Sequence, residues 1–278
     1  MSIVIGIDVG ISSTKIIGIE NETRIKAPMQ VSGSDPIVTS FGALSKYIYQ
    51  TGISLDEVEH IMITGVGSQS LNKPFYDVPT SHVDEFIANG LGARFDCGID
   101  RIIVVSMGTG TSLVRVDGDD IRHIGGLGMG GGTLQGLSRL LLDTNDISRV
   151  QEMAEFGSRN NVNLRMKDIC DNELDGLLPE ATASLFGKAA RDGCADKNDI
   201  ADGLAWMVLE TIGSCAVMSQ SNGGFKDFVL IGGLTQLPQC KTICSLMEKL
   251  YGVHFIIPKY APFCTALGAA LSHNYDNE

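Results

Sequence analysis

No two cysteines in this 278-residue sequence are spaced as CxxC, although seven are present: Cys97, Cys170, Cys194, Cys215, Cys240, Cys244 and Cys264. An odd number without close pairs supplies neither a zinc ribbon nor a disulfide framework. Cys240 and Cys244 lie four apart in an expected helix, but no nearby histidine or third cysteine completes a metal site. No apolar run approaches the ~20 residues that cross a bilayer. The opening MSIVIGIDVG has no basic segment before its apolar stretch and reads as a strand, so the expected location is the cytoplasm. Positive charge is scarce too: 21 Lys and Arg face 33 Asp and Glu, a formal charge of -12. Such a surface does not attract nucleic acid or anionic membrane, and neither is an expected partner. An acidic protein that handles phosphate must gather its few cations and backbone N–H groups in one place.

Glycine, by contrast, is plentiful, with 33 residues, and apolar residues make up 44% of the chain. The length favours two packed lobes over one core. Residues 3–9 predict a strand, followed by the turn GISST, a second strand KIIGIE, a turn at Asn21-Glu22 and a third strand TRIKAP. Asp35 and Pro36 predict a helix start, with Ile37, Phe41, Leu44, Ile48 and Tyr49 facing inward. The strand HIMITG and a helix from Asp84 to Phe95 follow. From residue 101 the same order returns as RIIVVSM, GTGT, SLVRVDG, a turn and IRHIGG. Helices are expected at 133–142, 146–156, 182–192 and 197–221, then strands FVLIGG and VHFIIP with one helix between them and one after. Two copies of strand, glycine turn, strand, strand and helix outline an α/β fold of two ribonuclease-H-like lobes around a nucleotide cleft, divided as 1–98 and 99–278.

Four glycine-bearing turns carry the chemistry. GIDVGISSTK places Asp8 at a strand end, then Gly10, the hydroxyls of Ser12, Ser13 and Thr14, and Lys15. Amides and hydroxyls in such a turn converge on phosphate, Lys15 adds charge, and Asp8 can hold a magnesium ion through water. SMGTGTS repeats the arrangement with Gly108, Thr109, Gly110 and Thr111. GLGMGGGT, 126–133, gives five of eight positions to glycine and runs into a helix; Gly130, Gly131, Gly132, Thr133, Leu134 and Gln135 are expected to present main-chain N–H groups to an anion. Gly232 and Gly233, at the end of VLIGG, suit a flat ring or ribose lying on the backbone. None of these supplies an acid or base. Asp84-Glu85, opening a helix between the two series, offers a general base for a hydroxyl proton, or simply a partner for the helix dipole.

Taken together, GIDVG…K, VDEF, MGTGTS, GGLGMGGGTLQGL, MAEFG with SRNNVNL, TASLFGKA, LIGG and CTALGAAL occur in the order found in type II pantothenate kinases, which the chain resembles over nearly its whole length. The resemblance implies the actin-like ATPase and sugar kinase fold, ATP and Mg²⁺ as cofactors, pantothenate as substrate and a homodimer. It places Glu85, in frame with Gly92, on the catalytic base, with Asp84 as the alternative one residue away. Two departures stand out. The family's D-x-G-G-T-x-x-K reads DVGISSTK, with Ile11 and Ser12 replacing glycine and threonine. The family's substrate-binding arginine falls at His123, with Arg122 one residue earlier, and on a strand that shift changes face. The activators of radical dehydratases, ATPases with an iron–sulfur cluster, are also similar, but their cluster cysteine near the glycine loop is missing from GLGMGGGT. A zinc-motif sugar kinase fails for want of cysteines. A noncatalytic relative binding ATP or coenzyme A is the remaining alternative.

Overall fold

Ile3, Ile5, Ile7 and Val9 alternate along the first strand and bury on one face, which fixes that strand's register against everything around it. The computed structural model describes residues 2–21, 23–170, 178–192, 195–220 and 224–275. The expected turn residue Glu22, Cys194 and the end of the predicted 197–221 helix at residue 221 lie outside them.

The first sheet contains β1 (Ile3–Val9), β2 (Ser13–Glu20), β3 (Arg24–Ile25), β4 (Met29–Ser32), β5 (Val58–Thr64) and β6 (Thr80–His82), in the order β3-β2-β1-β5-β6 with β4 also on β2. Helix α1 (Pro36–Thr51) covers one face, its start capped by Asp35 accepting from the Val38 amide at 2.9 Å. Its buried stripe is Thr39, Ser40, Ala43, Leu44 and Tyr47. The expected inward set holds only in part: Leu44 is buried, Phe41 and Ile48 partly so, while Ile37 and Tyr49 are 49% and 88% exposed. The helix is turned so that Tyr47 fits above Gly18, where a Cβ would come 2.9 Å from the phenol oxygen. A pattern weighted to apolarity passes over such small polar stripe residues.

Helix α2 (Glu85–Cys97) leads to the second sheet: β7 (Arg101–Met107), β8 (Thr111–Asp117) and β9 (Asp120–Leu127). Then come α3 (Gly131–Leu142), α4 (Ile147–Phe156), the small pair β10 (Leu164–Arg165) and β11 (Thr182–Ser184), α5 (Ala189–Asp192), α6 (Lys197–Met218), β12 (Asp227–Ile231), α7 (Pro238–Tyr251), β13 (His254–Ile256) and α8 (Cys264–Tyr275). The sheet order β13-β12-β7-β8-β9 repeats that of the first: three antiparallel strands, then two parallel ones beyond the first strand. The chain therefore has the α/β, two-lobed architecture.

Two expectations need correction. The helix predicted over 182–192 is β11, a turn and the single-turn α5. Buried Asn163 accepts from the Phe186 amide at 2.9 Å, and Phe186 has φ +56°, which no α-helix accommodates. Helix α6 does have the length and mean hydropathy (1.4) of a bilayer span, so an apolar reach was present. Most of that stretch is buried, with Leu204, Trp206, Val208 and Ile212 in the largest core.

The two sheets exchange helices. Leu91 and Ala93 of α2 pack with Ile102, Val104 and Val114 of the second sheet. Ala266, Leu267 and Ala270 of α8 pack with Ile17 and Ile19 of the first. The two helices meet backbone to backbone: a Cβ on Gly92 would fall 1.9 Å from the Cys264 carbonyl, and one on Gly268 1.7 Å from that of Ala88. Buried Thr265 donates to Asn89 Oδ1 at 2.7 Å across the same crossing. Alanine at Gly92 or Gly268 forces the helices apart, and each substitution is expected to cost about 3 kcal/mol in urea denaturation. Gly42→Ala, inside α1 with nothing within 4 Å of its new methyl, should instead add ~0.5–1 kcal/mol.

Candidate active site

Strand register sets the centre of the site. Asp8 is opposite Lys15 in the antiparallel β1–β2 ladder and opposite Thr64 in the parallel β1–β5 ladder. Ladder partners project to the same face, so Lys15, Asp8 and Thr64 form a row across three strands. Their face is the one α8 covers, since a Cβ at Gly6 would meet the Ala266 carbonyl at 1.9 Å. Lys15 Nζ stands 3.8 Å from Asp8 Oδ2. Burial pushes the Asp8 carboxyl up, and Lys15 opposes that shift.

Glu85 is the first residue of α2 and joins this group electrostatically. Its carboxyl is pushed up first by burial, then by the charges of Asp8 and Asp84, with Lys15 pulling it back. Its neighbour is otherwise engaged: Asp84 Oδ1 accepts from the Phe86 amide at 2.8 Å and the Ile87 amide at 3.1 Å, capping the helix. Of the two adjacent carboxylates, one holds the helix start and the other feels the charges of Asp8 and Lys15.

The first turn brings together only part of its predicted set. Gly10 N–H closes the turn on the Ser13 carbonyl at 3.1 Å. Ser13 alternates onto the Lys15 face. Thr14 pairs with Val9 and is buried with it on the α1 side, which takes its hydroxyl away from Asp8. Ser12 is exposed at the tip beside Ile11, itself 65% exposed.

In the second lobe the glycine-rich stretch has a different first duty from the expected one. Gly131 N–H donates to the Gly108 carbonyl at 2.8 Å, and Gly132 N–H to that of Thr109 at 2.9 Å. A Cβ at Gly130 would come 2.5 Å from the Thr109 carbonyl oxygen, and one at Gly132 2.7 Å from Thr109 Cγ2. What approaches this backbone is the 108–110 turn itself. The amides of Gly131 and Gly132 are committed to it, which corrects their assignment as open phosphate donors. Thr111 likewise donates to the Met129 carbonyl at 2.8 Å, and Thr133 Oγ1 to that of Gly128 at 2.9 Å. Leu134 is fully buried in the core, so its role is packing. Gly108 and Thr109 are exposed, and Gly110 and Gln135 half-buried, at the same edge.

The glycine pair after β12 also divides. Gly232 has φ +95° and passes so near β7 that a Cβ would be 2.4 Å from the Met107 carbonyl oxygen. Gly233 opens onto free space, so only it offers bare backbone to a flat group. Arg122 and His123 separate as strand alternation requires. His123 pairs with Val114 and stacks on Phe86, the residue after Glu85, at 4.0 Å between ring centroids. Arg122 lies opposite Arg115 on the other face and pairs with Asp120, away from α2. Sequence reading missed Thr64, Phe86 and Asn89; the available signal for Thr64 was a threonine ending the apolar HIMITG just before Gly65-Val66-Gly67.

A family model described as Fumble matches residues 101–271, more than half of the chain. The chain belongs to the Fumble family. Among individual proteins, it is similar to a type II pantothenate kinase of Bacillus thuringiensis subsp. konkukian, 27% identical over 239 residues that cover 84% of this chain and 83% of the relative. It is 30% identical over 188 residues to a type II pantothenate kinase of Staphylococcus aureus, 66% of each chain. Among solved structures, an activator of 2-hydroxyisocaproyl-CoA dehydratase from Clostridium difficile, with bound ADPNP, superposes with a TM-score of 0.68 at 17% identity, covering 99% of this chain and 95% of that one. A glucokinase of the ROK family from Streptomyces griseus, in complex with glucose and AMPPNP, gives 0.56 at 15% identity, covering 96% and 98%. These two likenesses establish the actin-like ATPase fold shared by this Fumble-family chain.

The carboxylates at the start of α2 make opposite predictions. Asp84→Ala removes a helix cap and should cost about 1 kcal/mol. Glu85 has a raised folded-state pKa, so its charged form destabilises the native state above that pKa and the penalty disappears below the ordinary glutamate range. Glu85→Gln should therefore melt at or above the wild-type temperature at pH 7 to 8. That gain should vanish as the pH falls through the ordinary glutamate range, read as melting temperature against pH.

Proposed function

We propose that the protein transfers the γ-phosphoryl group of ATP to the primary hydroxyl of pantothenate, in a cleft between lobes spanning 1–98 and 99–278. The observation that carries this reading is the Asp8–Lys15 pair with Glu85 within its electrostatic reach, while Asp84 is held by its cap. The names of the relatives supply the reaction, and the two nucleotide-analogue complexes of like fold support ATP as donor.

In this reading Glu85 accepts the proton of the acceptor hydroxyl as its oxygen bonds to the γ-phosphorus, and the bond to ADP breaks. A raised pKa suits that task, because a stronger base draws the proton better. Lys15 offsets charge on the transferring group, with Ser12 and Ser13 near the phosphates. Gly108, Thr109, Gly110, Gln135 and Gly233 line the nucleotide side. A magnesium ion would be held by Asp8, a carboxylate near the end of β1, and would keep mostly water and phosphate ligands there, as magnesium does. When bound, it would neutralise phosphate charge. His123, stacked beside the base, meets the acceptor, and Arg122 does not. A homodimer and a cytoplasmic location accompany this reading on family resemblance alone.

The test is ADP release from Mg-ATP with and without pantothenate. Pantothenate-dependent release is expected, with kcat falling at least ~10²-fold in Glu85→Ala. The acid limb of kcat against pH should lie above the ordinary glutamate range. His123→Ala should raise KM for pantothenate, and Arg122→Ala should leave it unchanged. Bound ATP without stimulation by pantothenate would reject this acceptor and point to another alcohol.

A further inference from the structure

β5 is apolar through Ile61, Met62 and Ile63, and then ends in Thr64, 1% exposed, whose hydroxyl has no protein partner among the described residues. Valine has the same shape, suits a strand as well and leaves no buried hydroxyl unpaired. The threonine therefore needs a reason, and its position supplies one. It is the ladder partner of Asp8, on the same face, at the inner end of the row that Lys15 begins.

The backbone beyond Thr64 turns tightly over the end of β1. Gly65 has φ +88°, and a Cβ there would fall 2.7 Å from Asp8 Oδ1 and 2.6 Å from the Val9 carbonyl oxygen. One Asp8 oxygen is thus directed toward β5 and the other toward Lys15. Thr64 is the β5 residue paired with Asp8 on that side. Its oxygen is enclosed, which keeps an organic substrate away from it.

We propose that Thr64 is a positioning residue, whose hydroxyl bonds a water in the hydration shell of a divalent cation held at Asp8. This inference rests on the kinase reading of the same site. Magnesium releases its waters reluctantly, and hydrogen bonds to such outer groups fix where the cation stands. The hydroxyl accepts from, or donates to, that water, and the Asp8 carboxylate takes its other proton.

The experiment uses the full chain with Mn²⁺ as probe and a non-hydrolysable ATP analogue, free Mn²⁺ being counted by electron paramagnetic resonance. Melting temperatures without metal or nucleotide are measured alongside. Thr64→Val is expected to melt at or above wild type while its Mn²⁺ affinity in the nucleotide complex falls ~10-fold, within the range for lost outer-shell partners. Thr64→Ser should bind Mn²⁺ like wild type, and Thr64→Ala takes the place of valine if that variant does not fold. A folded Thr64→Val with wild-type Mn²⁺ affinity overturns the role of Thr64 and leaves the kinase reading standing. A wild-type protein that binds no Mn²⁺ with the analogue overturns both.

Discussion

The crossing of α2 and α8 is the contact on which the rest depends. Helices usually pack with side chains between them at axis separations of ~8–10 Å. Here Gly92 and Gly268 remove the spacers, and each helix backbone sits against the other's carbonyls. Because α2 lies on the second sheet and α8 on the first, this single crossing sets the sheets' relation to each other. It also fixes where Glu85 stands relative to Asp8 and Lys15, since Glu85 is the first residue of the helix whose later turns are clamped. A residue far from any chemistry thus governs the geometry of the centre.

The second lobe solves a different problem with the same residue. Two turns, 108–111 and 129–133, lie on one another: the Gly131 and Gly132 amides donate to the Gly108 and Thr109 carbonyls, and the Thr111 hydroxyl donates to the Met129 carbonyl. Gly130, Gly131 and Gly132 make room first for the neighbouring turn. The two turns form one assembled surface, with Gly108 and Thr109 outermost. Rigidity at such a surface is useful, because groups fixed before binding lose no further freedom on binding.

Much of the fold was legible because its signals are local. Alternation in residues 3–9 and 101–107, turn glycines and the Asp35-Pro36 start need no distant partner to be read. The helix expected over 182–192 failed because a distant side chain, Asn163, captures the Phe186 amide. Within the site, Asp8 and Lys15 could be named from one turn, and their pairing follows from hairpin register. The division of labour between Asp84 and Glu85 could not, since capping depends on where the helix begins to one residue. Nor could the engagement of Gly131 and Gly132, because sequence marks a glycine as permissive without saying what comes close. Arg122 and His123 were separable in principle by strand parity, and parity needs the register.

The helix exchange also fixes an order of assembly. α8 begins at residue 264, yet it closes one face of the sheet that β1 opens at residue 3. During synthesis Ile17 and Ile19 leave the ribosome long before the helix that covers them, so that face must wait uncovered while the whole second sheet is made. Pairings so distant in sequence are slow to close, and exposed strands in the interval invite association with other chains. The nascent chain is thus most open to association with other chains between the emergence of the first sheet and that of α8.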